Sequence, residues 1–354
     1  MQHSAMKGFS EELINWYAGA KRDLPWRNTT DPYLIWLSEV ILQQTRVSQG
    51  LSYYYAFAER YPSVTDLADA AEQDVLKLWQ GLGYYSRARN LRHTAVLVKE
   101  NYGGRFPADY YSLLKLKGIG PYTAAAVASF AQNEAVAVVD GNVYRVLARL
   151  FGIDTPIDTT AGKKQFQQLA DELLGTPSSL HNQAIMEFGA TVCKPKVPLC
   201  ESCVFRLKCQ AYKAGTIEFL PQKAKKTKVT ERYFNYLVFS HEDDFYLKER
   251  QKGDVWQGLY DFPLIESDMG VEDPEFIIHH ADFGDWKGFE LKQRSETYVH
   301  LLSHRRIKAT FWEFELKRPD TQSAFTTVNS REPIVYPLPQ LIVNYLANRK
   351  RPTG

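Results

Sequence analysis

The sequence has no long hydrophobic run: its longest apolar stretch, around Thr123 to Ala131, is about half of the roughly 20 residues that a membrane span needs. That excludes a transmembrane chain. It also lacks an excess of charge of one sign, with 43 Lys+Arg against 41 Asp+Glu and a net charge of +2, so bulk electrostatics single out no polyanionic partner. A Gly-x-y period is missing, which excludes a fibrous protein. Charged residues at 24% and the absence of biased tracts exclude a disordered one. Cysteine is scarce: all four lie between Cys193 and Cys209, unlike a disulfide framework spread over a secreted fold and more like a metal or cluster site. From Met1 to Ser10 no charged segment precedes an apolar one, so no export signal and a cytoplasmic location are expected.

What remains is a folded chain of 354 residues with 44% apolar content, enough for two domains. From Phe9 to about Ala214 apolar residues recur at three and four, with repeated cap signals, and this half reads as all-α. Asp31-Pro32 supplies an N-cap and an N1 proline before the helix from Tyr33 to Leu42, whose apolar content implies a largely buried helix with Glu39 well inside it. Further helices are expected over Val75 to Trp79, Tyr110 to Leu116 and Val143 to Phe151. Residues 221–232, with Lys223, Lys225, Lys226 and Lys228, have no apolar periodicity and read as a basic linker, either a solvated tether or a contact for DNA phosphates. After it, Tyr233 to Phe239, Phe245 to Lys248 and Ala309 to Leu316 alternate like strands. The expected division is 1–220, helical; 221–232, linker; 233–354, a mixed α/β domain.

Leu116-Lys117-Gly118-Ile119-Gly120-Pro121-Tyr122 joins two expected helices through Gly118 and Gly120, a turn able to present backbone N–H groups to an anion at a helix start. An ordinary glycine-rich turn would look the same. Glu39, desolvated among Trp36-Leu37 and Val40-Ile41-Leu42, is expected to have a raised pKa. Asp140 closes the apolar run Ala135 to Val139 and precedes a helix, a position that favours its ionised form. The cysteine spacing, with six, two and five residues between successive members, leaves a zinc site and an iron-sulfur cluster open.

Taken together, Leu116 to Ala124, Val139-Asp140-Gly141-Asn142-Val143 and the cysteine spacing resemble the helix-hairpin-helix DNA glycosylases. Pro25-Trp26-Arg27, Ser38 to Thr45, Gly81 to Leu91 and Asn182-Gln183-Ala184 resemble one branch of them, the adenine DNA glycosylases acting on adenine opposite 8-oxoguanine. The resemblance is dense from about Pro25 to Gln210. It implies an all-α helix-hairpin-helix glycosylase half with an iron-sulfur loop, joined to an α/β Nudix-like domain. It also implies Glu39 as general acid on the adenine ring, Asp140 facing the sugar cation or a transient adduct, and Asn142 in support. Trp26, Arg27 and Gln183 would line the adenine pocket, Gln44 and Tyr84 would wedge the duplex, and Gly118 and Gly120 would hold a phosphate. Strand-cutting members carry a Schiff-base lysine where Tyr122 stands, so hydrolysis without that lyase step is expected. Cys193, Cys200, Cys203 and Cys209 would hold a 4Fe-4S cluster, with Lys194, Lys196, Arg206 and Lys208 as basic neighbours suited to phosphates.

Val255 to Pro263 resembles a Nudix-like segment, but the glutamate-rich metal box of Nudix hydrolases is missing, so pyrophosphatase activity is not expected. Leu301-Leu302-Ser303-His304 resembles the loop that recognises 8-oxoguanine through Ser303 and His304, with Leu302 where the family usually has Phe. His300, Arg305, Arg306 and Lys308 extend that loop as expected DNA contacts. The expected partner is double-stranded DNA, and the expected state a monomer. Three rival readings are a non-catalytic binder of damaged or mismatched DNA, a pyrimidine-specific glycosylase, and an iron-sulfur redox regulator.

Overall fold

The computed structural model describes residues 8–224, 229–283, 286–319, 325–332 and 334–349. Two compact units emerge: one runs to Asp69 and resumes at Asn90 as far as the linker, and the other joins Ala70–Arg89 to the C-terminal part. The sequence-based division at 220 therefore differs from the packing, which takes twenty residues out of the helical half.

The helices are α1 (Phe9–Ala20), α2 (Pro32–Leu42), α3 (Val47–Arg60), α4 (Val64–Asp69), α5 (Glu72–Leu78), α6 (Ser86–Tyr102), α7 (Tyr110–Leu114), α8 (Pro121–Gln132), α9 (Gly141–Phe151), α10 (Thr160–Leu173), α11 (Ser178–Thr191) and α12 (Gln210–Ala214). Asp31 caps α2 as expected: its Oδ1 accepts from the Tyr33 N–H at 2.8 Å, and Pro32 fills N1. Ile35 to Ile41 are all buried, so this helix crosses the unit's interior rather than lying on it. Small residues Ala124 to Ala128 do the same for α8. Phe9, Leu13 and Tyr17 of α1, Val143, Val146 and Leu147 of α9, Phe166 of α10 and Phe188 of α11 meet in one core. Burying each such side chain contributes roughly 1.5–3 kcal/mol. The helix expected over Tyr110 to Leu116 stops at Leu114, because the chain turns into the hairpin.

The start of the linker is docked rather than free: the Ala224 N–H donates to Asp158 Oδ1 at 2.8 Å, and Ile157 N–H to Gln222 O at 3.0 Å. Lys225, Lys226 and Lys228 lie outside the described residues.

In the second unit, β1 (Thr230–His241), β2 (Asp244–Glu249), β3 (Tyr260–Asp261), β4 (Leu264–Ser267), β5 (Phe289–Arg294), β6 (Tyr298–Leu301), β7 (Arg305–Leu316) and β8 (Thr326–Asn329) form the sheet, with α13 (Pro274–Ile278) and α14 (Gln340–Asn348). Long strands β1 and β7 pair in parallel from Thr230↔Arg305 to Ser240↔Glu315. β2 and β4 flank β1 antiparallel, and β5 and β6 flank β7. Alternation sends Leu237, Phe239, Trp312 and Phe314 into one core and Phe311 to the other face, stacked on Tyr345 of α14 at 3.7 Å. Segment 70–89 is bolted on by polar contacts: Lys77 Nζ donates to Ile334 O (2.7 Å), Gln80 Oε1 accepts from the Leu338 N–H (3.0 Å), and Arg89 Nη1 donates to Gln257 O (2.8 Å).

Gly162 in α10 lies so close to Pro156 that a β-carbon would sit 2.1 Å from its carbonyl oxygen, a backbone atom that cannot swing away. Gly162→Ala is expected to lower stability by about 1–3 kcal/mol, read as a lower melting temperature by calorimetry.

Candidate active site and cysteine loop

The first unit gathers its titratable groups where α2, α8 and α9 meet. Glu39 is 6% exposed, and its Oε2 accepts from the Tyr122 hydroxyl at 2.6 Å. Burial raises its pKa to about 7; the Tyr122 bond opposes that, the nearby Asp140 charge adds to it, and Arg27 opposes it. Asp140 is the N-cap of α9, accepting from the Asn142 N–H (2.9 Å) and Val143 N–H (2.8 Å), while Asn142 Nδ2 donates to its other oxygen at 2.7 Å. The cap geometry is as expected, yet burial pushes this carboxyl above its ordinary value despite those hydrogen bonds and Arg145. That differs from the expectation of a carboxyl eased towards ionisation, because a cap at a buried helix start loses solvent as well.

Arg145, only 8% exposed, links this cap to the cysteine loop: Nη2 donates to Asn142 Oδ1 (2.8 Å) and Gly189 O (2.7 Å), and Nε to Cys193 O (2.6 Å). One turn later Arg149 donates to Lys194 O at 2.8 Å and approaches Cys193 Sγ at 3.6 Å. Neither arginine belongs to a motif in the sequence; a charged residue on the apolar face of α9 is the one signal each carries. Cys193, Cys200, Cys203 and Cys209 all line one cavity of about 30 Å³, together with Val192, Leu199 and Ile217. No disulfide joins any of the four. Among the described residues no three His, Cys, Asp or Glu side chains are grouped as a single metal ion would require. Of the basic neighbours, Arg206 is paired with Glu201 and Lys208 with Glu12, whereas Lys196 stands exposed beside Val197.

Trp26 and Arg27 sit on a 3₁₀ turn, Pro25–Arg27; Trp26 is buried edge-on against Tyr54. Arg27 Nη2 donates to Glu187 Oε2 at 2.6 Å, and the Tyr17 hydroxyl donates to Gln183 Oε1 at 3.0 Å. Gly118 has φ 86°, in the left-handed region, whereas Gly120 is extended at φ −90°. Only Gly118 needs glycine for its backbone. At Gly120 a β-carbon would meet nothing within 4 Å, so its absence keeps the start of α8 open to an approaching group. Gln44, just past α2, is exposed and held at φ 55°.

The second unit holds the other predicted site residues. Tyr84 is 44% exposed at φ 49°, while its neighbour Tyr85 is buried, so the pair is divided between surface and core. Tyr84 lines a cleft of about 460 Å³ with Trp256, His300, Leu302, Ser303 and His304. Ser303 Oγ lies 3.1 Å from His304 Nδ1, and the Leu302 N–H donates to Arg305 O, closing the turn that displays them. Arg305 pairs with Asp254, and Arg306 and Lys308 pair with Glu231, so much of the basic charge expected to meet DNA is spent inside the unit. His300 packs edge-on against Trp256.

Residues 37–174 match the HhH-GPD superfamily of base excision DNA repair proteins, and residues 235–348 match the NUDIX domain. An adenine DNA glycosylase of Buchnera aphidicola subsp. Schizaphis graminum is 34% identical over 302 residues, 84% of this chain and 84% of that protein. The chain belongs to the adenine DNA glycosylase family. The human adenine DNA glycosylase is 43% identical over 214 residues, covering 57% of this chain and 39% of its own length. A solved thermostable thymine-DNA glycosylase superposes with TM-score 0.56 at 31% identity, covering 60% of this chain and 98% of that one. Family resemblance and the pairing of a helix-hairpin-helix half with a Nudix domain, both read from sequence, are thus borne out. Among the described residues no helix is long and apolar enough to cross a membrane.

For this family member the raised pKa of Glu39 is also a stability statement. The folded protein keeps a proton between pH 4.5 and about 7 that the unfolded chain releases, so stability falls as pH rises through that window. Above it this group costs about 3 kcal/mol. Glu39→Gln, with the same shape and no charge to bury, is expected to exceed the wild type by up to that amount at about pH 8 and to match it at about pH 4, as urea unfolding at the two pH values will show.

Proposed function

We propose that this protein is a monofunctional DNA N-glycosylase that flips adenine mispaired with 8-oxoguanine or guanine out of the duplex and hydrolyses its glycosidic bond, leaving an abasic site. The observation that carries the reading is the pairing, in one site, of a buried carboxyl whose pKa stands near 7 with a second carboxyl hydrogen-bonded at a helix cap, on a chain with adenine DNA glycosylase relatives along 84% of its length. Protonated Glu39 gives its proton to a ring nitrogen of the flipped adenine, and the bond between the base and the sugar breaks with its electron pair leaving on the base. Asp140 faces the positive charge that develops on the sugar, held there by Asn142. Water then adds to the sugar carbon and its proton is released. Tyr122 holds Glu39 by hydrogen bond and offers no amine, so strand cleavage through a Schiff base has no nucleophile at that position.

Trp26, Arg27 and Gln183 receive the base. Gln44 of the first unit and Tyr84 of the second each act as a wedge into the duplex; the left-handed backbone that each holds at an exposed position is strain that such a role explains. The hairpin N–H groups and Lys196 are contacts for the DNA backbone. In the second unit the Tyr84, Ser303 and His304 cleft reads the opposite base. Four thiols around one small cavity, at the cysteine spacing that resembles the glycosylases, support a 4Fe-4S cluster, and Arg149 beside Cys193 would offset its negative charge. Cys193, Cys200, Cys203 and Cys209 would hold it, and when bound it would brace the loop. Anaerobically purified protein is expected to carry about four irons and four acid-labile sulfides per chain.

The test is single-turnover adenine release from duplexes with adenine opposite 8-oxoguanine, guanine or thymine, followed by alkali. Base loss opposite 8-oxoguanine, breaks only after alkali, a rate that falls as pH rises through about 7, and an inactive Glu39→Gln are expected. Tight binding of the lesion duplex by cluster-loaded wild type without base release would replace this reading with a non-catalytic damage binder. Ser303→Ala combined with His304→Ala is expected to reduce the preference for 8-oxoguanine over guanine by roughly tenfold while base release opposite guanine persists, measured as the ratio of the two rates.

A further inference from the structure

Glu187 belongs to none of the roles assigned above, yet its side chain is fully buried on α11 and carries more charged contacts than any of the pocket residues described here. It accepts from Arg22 Nε at 2.7 Å and Nη2 at 2.8 Å, and from Arg27 Nη2 at 2.6 Å. Burial works against its ionisation, but the two guanidinium groups outweigh it and hold the carboxyl below its ordinary value. A buried carboxylate gripping two arginines gains little stability over an apolar filling of the same space, so its effect lies in what it orders. What it orders is a ring. Arg27 Nη1 donates back to Arg22 O at 3.0 Å, its guanidinium lies 5.5 Å from the centre of the Tyr17 ring, and Tyr17 donates to Gln183 Oε1. Gln183 stands one helical turn before Glu187, which closes the circuit. Arg27 Nε–H has no acceptor among the described residues, leaving a donor for a ring nitrogen of a purine.

We propose that Glu187 is the positioning residue of the base pocket: through Arg27 and Tyr17 its carboxylate sets the guanidinium donor and the Gln183 amide that meet the displaced adenine. This rests on the proposed adenine release. Glu187 touches no substrate, so removing it alters the rate of base release rather than the grip on DNA, most of which comes from backbone contacts.

The experiment is single-turnover adenine release and duplex affinity for Glu187→Gln, Glu187→Asp, Arg27→Ala and the Glu187→Gln/Arg27→Ala double variant, beside wild type. Glu187→Gln is expected to slow release by roughly ten- to a hundredfold with duplex Kd changed by less than about threefold. Added to Arg27→Ala, it is expected to cost less than about twofold more, because it acts through that residue. Should Glu187→Gln not fold, Glu187→Asp decides: it keeps the charge but cannot reach both arginines, so release is expected to slow by about tenfold. Wild-type rates in Glu187→Gln or Glu187→Asp, or full additivity with Arg27→Ala, overturn the proposal. A wild type that releases no adenine overturns the functional reading instead.

Discussion

Helices α9 and α11 approach so closely at Gly189 that a β-carbon there would lie 2.6 Å from Asn142 Cβ, and the chemistry of the first unit hangs on that contact. α9 begins at Asp140 and carries Arg145 and Arg149; α11 carries Gln183 and Glu187 and runs out into Cys193. Because the two backbones touch, Arg145 can reach the Asn142 side chain, the Gly189 carbonyl and the Cys193 carbonyl at once. Asp140, Gln183 and the cysteine loop therefore share one seam. A larger residue at Gly189 would pry that seam open at its centre.

Two buried glutamates within this unit show how cationic partners decide whether burial prevails over ionisation. Burial lifts the pKa of Glu39 to about 7, because its hydrogen-bond partner is only a neutral phenol that opposes the rise weakly, while nearby Asp140 adds to it. Glu187 is as buried but faces two guanidinium groups, and its pKa falls. One can thereby retain a proton near neutral pH, and the other is a fixed charge. Such divergence between like groups separates a carboxyl that can hold a proton from one that cannot, and it arises here from what each faces on α2 and α11.

In the second unit a comparable constraint sits at Asp254. Arg232, Arg250 and Arg305 converge on its two oxygens, and although burial opposes ionisation, these partners hold its carboxyl far below the ordinary carboxylate range. Arg305 starts β7 immediately after His304, and Asp254 and Trp256 share a loop that lines the same cleft. The display of Ser303 and His304 thus depends on charge pairing behind it, and the packing of segment 70–89 brings Tyr84 to the same cleft.

Much of the fold is legible in the sequence alone. Local signals, namely Asp31-Pro32 before an apolar run, Asp140 before α9 and alternating residues in β1 and β7, mark elements whose stabilising contacts lie within a few residues, and these appear where expected. The motif residues Glu39, Tyr122, Asp140 and Asn142 could be named from the sequence, since the resemblance lies in short contiguous stretches. What only the tertiary structure decided depends on distant partners. Glu187, Arg22 and Tyr17 gave no motif, because the chain separates Arg22 from Glu187 by 165 residues and their meaning lies in the pairing. The net rise at Asp140 needed knowledge of how much solvent the cap loses. Segment 70–89 reads as one more pair of helical pieces, and its membership in the second unit comes from Lys77, Gln80 and Arg89 binding carbonyls and amides roughly 170 to 260 residues away. Periodicity reports which face of an element is apolar; it carries no information about which distant backbone group will satisfy a buried charge, and that choice placed the site.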